Sequence, residues 1–268
     1  GSFDGLIKLW DVDSGQLLKT FRGSDVEIRG VVYSPDGSQL ASVSFDGRLK
    51  IWELPGGELL HDIEAHDQAV NAVLYSVDGA QIVTASLDNT IKFWNAGTGQ
   101  LEGQSEIEGS PKKGLLSIAY SGDGSLLASG SVDYTIHLWD MNRQELPFVG
   151  SHSNWVYDLA FAPDKPWIAS ASIDTTIRLW NVESGDLLGE LTGHDGPVQT
   201  IAFSPDGKIL VTGGADGKII IWDPERLREI TFLNAHEMGV LDVVFSPDGE
   251  FLASTSADQT VRLWKVNP

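Results

Sequence analysis

The chain repeats one motif at a nearly constant period, and this repeat constrains its fold more than any other feature. An apolar residue followed by tryptophan recurs at spacings of 41 to 45 residues, and an aspartate lies six residues before each tryptophan. The seven tryptophans are Trp10, Trp52, Trp94, Trp139, Trp180, Trp222 and Trp264. The seven aspartates are Asp4, Asp46, Asp88, Asp133, Asp174, Asp216 and Asp258. Such a period predicts small units that bury their apolar faces against one another.

Each repeat is predicted to contain four short strands. The first follows the pattern V-x-x-V-x-[FY], as in Val198–Phe203, and ends in a turn such as Ser204–Gly207, where proline and glycine favour a tight reversal. A strand of small residues such as Leu252–Ser256 comes next, followed by a β-branched strand ending in tryptophan, as in Thr260–Trp264. The fourth strand lies near a Gly-x-Leu-Leu motif, as at Gly185–Leu188. Because no useful helical periodicity is visible, the sequence predicts an all-β propeller of four-stranded antiparallel blades.

The same motifs resemble those of the WD40 family along essentially the whole chain. Gly193–His194 is similar to the family's GH pair, and Trp10–Asp11, Trp139–Asp140 and Trp222–Asp223 are similar to its WD pair. In the other repeats the second letter of the WD pair differs: Glu53, Asn95, Asn181 and Lys265. The resemblance implies a β-propeller that recognises or scaffolds other proteins.

The number of blades follows from counting strands a to d outward from the centre of the propeller. The chain is expected to begin with strands c and d of one blade, continue through five complete blades and end with a, b and c of a last one, 25 strands in all. We therefore expect a seven-bladed propeller whose missing strands, about 30 residues, precede Gly1. The alternative is a six-bladed ring closed by Gly15–Phe21, with residues 1–11 surplus.

We expect one domain over residues 1–268, in which a partial first blade is followed by six repeat units. The partial blade covers residues 1–23, and the units cover 24–65, 66–109, 110–151, 152–193, 194–235 and 236–268.

Serine, histidine and aspartate recur at fixed spacing before the tryptophan, and three repeats carry the complete set. The predicted tetrads are His66, Ser86, Asp88 and Trp94; His152, Ser172, Asp174 and Trp180; and His236, Ser256, Asp258 and Trp264. A hydrolase needs one nucleophile in one cleft, whereas the same set repeated around a ring is typical of a structural network. The WD40 resemblance implies that these side chains form buried hydrogen-bonded tetrads, which suits their donors and acceptors.

Three repeats depart from this pattern. Gly214 stands where the serine would be, and Ser24 and Ser110 stand where the histidine would be. We therefore expect these blades to be locally less stable. His137 occupies a position held by lysine or arginine in other repeats, so it is expected to be an ordinary strand-c side chain.

Composition limits the classes of partner and chemistry. The formal net charge is −20, which disfavours nucleic acid and anionic membranes and favours a peptide with basic residues. The chain has no cysteine, no apolar run long enough to cross a membrane as a helix and no recognisable nucleotide, zinc-protease or lipase motif. We therefore expect a cytoplasmic protein without catalytic residues, metal or cofactor.

A binding surface is predicted where the b–c turns and the starts of strand a share one end of each blade. The residues before the tetrad aspartates are unexpectedly apolar for turn tips: Phe3, Phe45, Leu87, Val132, Ile173, Ala215 and Ala257. The strand-a positions add Trp155, Tyr157, Leu116 and Leu241, with Glu27 and Arg29 in the equivalent places of one blade. Exposed aromatic residues in a concave surface are typical of interaction hot spots.

The leading hypothesis is a non-catalytic platform that binds proteins or peptides, as part of a larger regulatory protein. The eight residues expected to carry binding are Trp155, Tyr157, Phe45, Leu87, Val132, Ile173, Leu116 and Leu241. The alternatives are a structural, self-assembling propeller and, less favoured, an enzyme.

Overall fold

In the computed structural model, residues 1–107 and 114–266 are described, and every regular element in these ranges is a β-strand. The strands, β1 to β25, form seven sheets, which we number I to VII in chain order. Sheet I has two strands, sheets II to VI have four each, and sheet VII has three. The predicted all-β class and the predicted run of strands are therefore confirmed. No helix in the described residues is long and apolar enough to span a membrane.

The chain divides into two compact units, the first of which is Gly1–Ile118. Sheet I contains β1 (Leu6–Trp10) and β2 (Leu17–Arg22). Sheet II contains β3 (Ile28–Tyr33), β4 (Gln39–Ser44), β5 (Arg48–Glu53) and β6 (Glu58–Glu64). Sheet III contains β7 (Val70–Tyr75), β8 (Gln81–Ser86), β9 (Thr90–Asn95) and β10 (Leu101–Glu106).

The second unit is Ala119–Pro268, and its boundary falls inside β11. Sheet IV contains β11 (Leu115–Tyr120), β12 (Leu126–Ser131), β13 (Thr135–Asp140) and β14 (Glu145–Ser151). Sheet V contains β15 (Val156–Phe161), β16 (Trp167–Ser172), β17 (Thr176–Asn181) and β18 (Leu187–Thr192). Sheet VI contains β19 (Val198–Phe203), β20 (Leu210–Gly214), β21 (Lys218–Asp223) and β22 (Arg228–Asn234). Sheet VII contains β23 (Val240–Phe245), β24 (Phe251–Ser256) and β25 (Val261–Lys265).

Within each unit, successive sheets pack face to face through their inner strands. In the first unit, Leu49 and Ile51 of sheet II share a buried cluster with Val73 and Trp94 of sheet III. The second strand of a complete sheet is buried along almost its whole length, as in β16, where sheets IV and VI contact sheet V on either side. The fourth strand is mostly exposed, as in β22. This burial gradient explains why the second strands consist mainly of small and aliphatic residues, whereas the fourth strands mix apolar with charged and polar residues.

The short sheets leave apolar residues uncovered at positions that are buried elsewhere. In sheet I, Trp10 is 47% exposed, whereas the equivalent tryptophans of sheets II to VI are at most 5% exposed. In sheet VII, Val261 is 61% exposed, whereas Leu49 at the equivalent position of sheet II is fully buried. Each of these two sheets therefore exposes a face that the repeat pattern otherwise covers.

Candidate functional site

In five of the sheets, a hydrogen bond between the b–c turn and the start of strand a marks one end of the sheet. In sheet V the amide of Ile173 donates to the carbonyl of Trp155 at 3.1 Å. In sheet II the amide of Phe45 donates to the carbonyl of Glu27 at 3.0 Å. Sheets III, VI and VII have the same bond, from Leu87, Ala215 and Ala257. In each of these sheets the turn tip and the strand-a start therefore lie together, as the strand reversals predicted.

In the second unit this end of sheet V carries Trp155, the one tryptophan among the predicted binding residues. Trp155 is 40% exposed, although the next residue, Val156, is fully buried in the core. Tyr157 and Ile173 are partly buried beside it on the same sheet. We call these three residues, Trp155, Tyr157 and Ile173, the Trp155 patch.

The other predicted binding residues occupy the corresponding ends of their own sheets. Val132 and Leu241 in the second unit and Leu87 and Leu116 in the first are partly buried. Trp167 lies at the opposite end of sheet V, where the Lys165 ammonium sits 4.4 Å from its ring centroid.

In the first unit, an arginine lies between the two aromatic turn tips. The guanidinium carbon of Arg29 is 6.0 Å from the ring centroid of Phe3 and 5.2 Å from that of Phe45. Glu27 forms an ion pair with Arg29 at 2.8 Å. The two rings are 57% and 50% exposed. We call Phe3, Arg29 and Phe45 the aromatic–arginine cluster. The sequence did not predict that these three side chains lie together, because a sequence does not show the direction of a long side chain.

Below the turns, sheet III contains a continuous hydrogen-bonded chain of four side chains. The indole N–H of Trp94 donates to Oγ1 of Thr84 at 2.9 Å, and Nε2 of His66 lies 2.8 Å from the same oxygen. Nδ1 of His66 lies 2.9 Å from Oδ2 of Asp88. Because the indole is only a donor and Asp88 accepts at the other end, the chain is satisfied when the threonine hydroxyl donates to Nε2 and Nδ1–H donates to the carboxylate.

Sheets V, VI and VII repeat this arrangement with their own residues. The tetrads are His152, Ser170, Asp174 and Trp180; His194, Thr212, Asp216 and Trp222; and His236, Ser254, Asp258 and Trp264. All four imidazole side chains are fully buried.

The residue predicted to supply the hydroxyl of each tetrad was wrong by two positions. Ser86 instead accepts a hydrogen bond from the amide of Asp88 at 3.0 Å and donates to the carbonyl of Gln68, so it fixes the b–c turn. Ser172 and Ser256 occupy the same turn position as Ser86 in sheets V and VII. Residues two apart on a strand share a face, so alternation could not separate the two hydroxyls. A better signal was present, since a serine or threonine lies ten residues before each tryptophan of sheets II to VII: Ser42, Thr84, Ser129, Ser170, Thr212 and Ser254.

The same correction changes the expectation for Gly214. Sheet VI has a complete tetrad because Thr212 supplies its hydroxyl, so the premise that Gly214 removes a member of this tetrad was wrong. The lower local stability of this blade stays a prediction. In sheet II, Ser24 donates to Asp46 at 3.1 Å in place of a histidine. Ser110 lies outside the described residues.

In sheet IV, a histidine on strand c contacts the aspartate that precedes this strand. Nε2 of His137 on strand c lies 3.3 Å from Oδ2 of Asp133 and 2.7 Å from Oγ1 of Thr135. Its Nδ1 contacts Glu145 on β14. The interpretation of His137 as an ordinary strand-c side chain was therefore wrong, because it takes part in the aspartate's network.

The electrostatics of the tetrads are those of a structural network. Burial lowers the pKa of His152 and His194 despite their aspartate partners, so both imidazoles favour the neutral form. Burial opposes ionisation of Asp88, but hydrogen bonds from His66 and Thr90 outweigh it and hold its pKa below the ordinary range. A fully buried imidazole offers a substrate no access. Among the described residues, no group of three or more histidine, aspartate or glutamate side chains is arranged to hold a metal ion.

Comparison with known proteins identifies the repeat. A model of the WD40 family (WD domain, G-beta repeat) matches six segments of the chain: residues 15–53, 57–95, 103–140, 144–181, 185–223 and 227–265. Each segment spans a fourth strand followed by strands a, b and c of the next sheet, and six is the repeat number of the alternative expectation. The nuclear distribution protein PAC1 of Mycosarcoma maydis is 51% identical over 43 residues, which are 16% of this chain and 10% of that protein. The chain thus matches about one repeat of this much longer relative.

Proposed function

Because this chain belongs to the WD40 family, we propose that it is a non-catalytic module that binds a protein or peptide partner through the Trp155 patch. WD40 propellers typically act as interaction scaffolds. The observation that carries the proposal is the 40% exposure of Trp155 beside the fully buried Val156. Water-exposed apolar area forgoes about 25 cal/mol of stabilisation per Å², so a large ring exposed at a turn is better explained by recognition than by folding.

A strained turn next to Trp155 supports the same location. Thr175, in the turn that carries Ile173, has a φ of 73°. A β-branched residue is strongly disfavoured at positive φ, and strained backbone clusters at binding and catalytic sites. The equivalent position has positive φ in every other sheet as well, but it is occupied there by residues that are not β-branched: Gly5, Gly47, Asn89, Tyr134, Gly217 and Gln259.

The net charge of −20 favours a partner with basic residues, because association of opposite charges is steered at long range. A role within a larger regulatory protein in the cytoplasm belongs to the same proposal. The similarity to the nuclear distribution protein PAC1 covers about one repeat, so it does not support a shared role.

The decisive experiment compares two tryptophans at opposite ends of sheet V. Peptides are selected from a random displayed library on the wild-type chain, and their affinities are remeasured with Trp155→Ala and the control Trp167→Ala. We expect Trp155→Ala to weaken binding by about 1–4 kcal/mol while leaving the melting temperature nearly unchanged. Trp167→Ala should leave the affinities intact. Equal affinities for wild type and Trp155→Ala, or a Trp155→Ala chain that is unfolded, would contradict the proposal.

We also propose a seven-bladed propeller formed by one domain, of which sheets I and VII are incomplete blades. The support is the pairing of β2 with β1, which makes sheet I the c–d half of a separate blade, and the exposure of Trp10 and Val261 at positions buried elsewhere. In the six-bladed alternative, β2 completes the last blade and β1 is surplus. Deleting residues 1–11 distinguishes them, because the seven-bladed arrangement loses the partner strand of β2 and should melt at a lower temperature.

Self-assembly is a second candidate, which the exposed apolar side chains of sheets I and VII favour. Light scattering tests it: a concentration-dependent mass would support assembly, whereas a constant monomer mass would leave partner recognition as the function.

A further inference from the structure

We propose that the aromatic–arginine cluster binds a carboxylate of a partner peptide, with apolar side chains of the same peptide resting on Phe3 and Phe45. This subsite belongs to the first unit, whereas the Trp155 patch belongs to the second. It rests on the proposed function in one respect, that the partner is a peptide, and it adds the chemistry of one residue of that partner.

The geometry of Arg29 supplies the recognition. Its guanidinium lies between the rings of Phe3 and Phe45, at 6.0 and 5.2 Å from their centroids. Aromatic rings attract a guanidinium but accept none of the strong hydrogen bonds that its N–H groups donate in its own plane. Glu27 engages one of these nitrogens, and a third of the arginine side chain remains exposed. A guanidinium with one edge paired can still donate two hydrogen bonds to a second carboxylate, in the two-point geometry that arginine favours.

The cluster is distinctive among the repeats of this chain. Arg29 is the only charged residue at the second position of strand a, where the other repeats have Asn71, Leu116, Tyr157, Gln199 and Leu241. Phe3 and Phe45 are also the only aromatic residues at the tips of the b–c turns. The one arginine and the two aromatic tips therefore coincide. Because the other repeats fold without this combination, the blade architecture does not require it.

Local charge favours a single carboxylate over a phosphate or a nucleic acid. The ion pair with Glu27 brings the cluster close to neutrality, and the whole chain carries −20. Such a potential repels a dianion or a polyanion, whereas a monoanion can be held by short-range hydrogen bonds. The exposed faces of Phe3 and Phe45 favour apolar neighbours on either side of the carboxylate.

The probes are three blocked peptides that differ at one position: acetyl-Leu-Asp-Leu-amide, its asparagine twin and its phosphoserine twin. Binding is followed by the NMR signals of the Arg29 Nε–H and of the Phe3 and Phe45 rings. We expect the aspartate peptide to shift these signals and to bind about tenfold more tightly than the asparagine peptide, since hydrogen bonds between ions exceed neutral ones. Equal affinity for the two peptides, or tighter binding of the phosphoserine peptide, would overturn the proposal.

Variants separate recognition from folding. Arg29→Gln should abolish the preference for aspartate over asparagine, whereas Glu27→Gln should strengthen aspartate binding severalfold, because it removes the competing carboxylate. Arg48→Gln is the matched control, since Arg48 pairs with Asp62 and Glu64 on the outer strand of sheet II. If Glu27→Gln folds and leaves aspartate binding unchanged, the proposal is wrong, whatever the fate of Arg29→Gln.

Trp155→Ala distinguishes this subsite from the general peptide-binding proposal. The aspartate preference should survive in that variant, because the proposed contacts to the carboxylate and its neighbours come from Arg29, Phe3 and Phe45. If Trp155→Ala removed the preference, the assignment to Arg29 would be wrong even though peptide binding itself stood.

Discussion

Sheets IV and V both hold the aspartate before strand c with an imidazole, but the imidazole comes from different places. In sheet V, His152 precedes strand a and lies 2.7 Å from Oγ of Ser170 and 3.0 Å from Asp174. In sheet IV, His137 lies on strand c, between Asp133 and Glu145. Aspartate pairing therefore survives the loss of the usual histidine, because a neighbouring position on the same blade reaches the same carboxylate.

The hydrogen-bonded chain from the tryptophan to the aspartate is continuous in sheet V but not in sheet IV. In sheet V, Ser170 accepts the indole N–H of Trp180 and also contacts His152, so one hydroxyl joins both halves of the tetrad. In sheet IV, Ser129 accepts the indole N–H of Trp139, while His137 bonds elsewhere. The side chain of His152 is fully buried, whereas that of His137 is 12% exposed. Among the described residues, sheet V has one continuous buried network, whereas sheet IV has two shorter ones. Removal of single groups should reveal the difference.

The largest expected difference concerns the central hydroxyl. Ser170→Ala leaves both the indole N–H of Trp180 and Nε2 of His152 buried without a partner. Each orphaned group costs about 1–3 kcal/mol, so we expect a loss near 3 kcal/mol in the free energy of unfolding. Ser129→Ala orphans only the indole of Trp139 and should cost about half as much.

Urea unfolding followed by tryptophan fluorescence and circular dichroism measures both losses. Ser172→Ala, which removes the turn hydroxyl in place of the bridging one, is the control and should cost about 1 kcal/mol. A Ser172→Ala loss larger than that of Ser170→Ala would restore the original assignment of the tetrad hydroxyl.

The strand content could be predicted from the sequence, whereas the side-chain networks could be predicted only in part. Strand alternation, turn chemistry and the tryptophan period each specify local backbone, so the predicted strand Val198–Phe203 matches β19, and the predicted strand Thr260–Trp264 differs from β25 (Val261–Lys265) by one residue. The identity of the tetrad hydroxyl depended on a diagonal reach from Trp94 to Thr84, which lies outside the strand pairing of Trp94 with Ile82. The spacing of residues in the sequence does not predict such diagonal side-chain contacts.

The candidate binding residues show a similar limit. The sequence predicted which ends of the strands lie together, and the bond from Ile173 to Trp155 is consistent with that register. It did not predict that Arg29 would lie between Phe3 and Phe45, because the direction of a long side chain depends on neighbouring blades and not on its own strand.

The second expected difference is the sign of the pH dependence. Burial alone would lower the pKa of His137, but its bonds to Asp133 and Glu145 prevail and raise it above 6.5. His137 thus contributes stability that is fully present below pH 6.5 and is lost as the pH rises through its folded pKa. The pKa of His152 is lowered from 6.5, chiefly by burial, so its contribution is present above pH 6.5 and is lost as the pH falls.

The urea midpoints of His137→Gln and His152→Gln, compared with wild type near pH 5.5 and near pH 8, test this opposition. His137→Gln should be more destabilising at the lower pH, and His152→Gln at the higher pH. Parallel pH dependences in the two variants would show that the two imidazoles sit in equivalent environments, contrary to the structure.

The smallest expected effect lies in the b–c turns that present the two aspartates. Tyr134 in sheet IV and Thr175 in sheet V both have positive φ, 82° and 73°. The penalty is larger for a β-branched residue, so Thr175→Gly should raise the free energy of unfolding by about 1 kcal/mol. Tyr134→Gly should raise the free energy of unfolding by a smaller amount, because the tyrosine side chain is partly buried and its packing is lost. Thermal melting of both variants measures the gain in stability. Gly217→Thr in sheet VI is the reverse control. It should lower the melting temperature, since a Cβ there would lie 2.5 Å from the carbonyl oxygen of His236. If Thr175→Gly proved less stable than wild type, the turn would not be strained, and the support that this strain gives to a binding site beside Trp155 would be withdrawn.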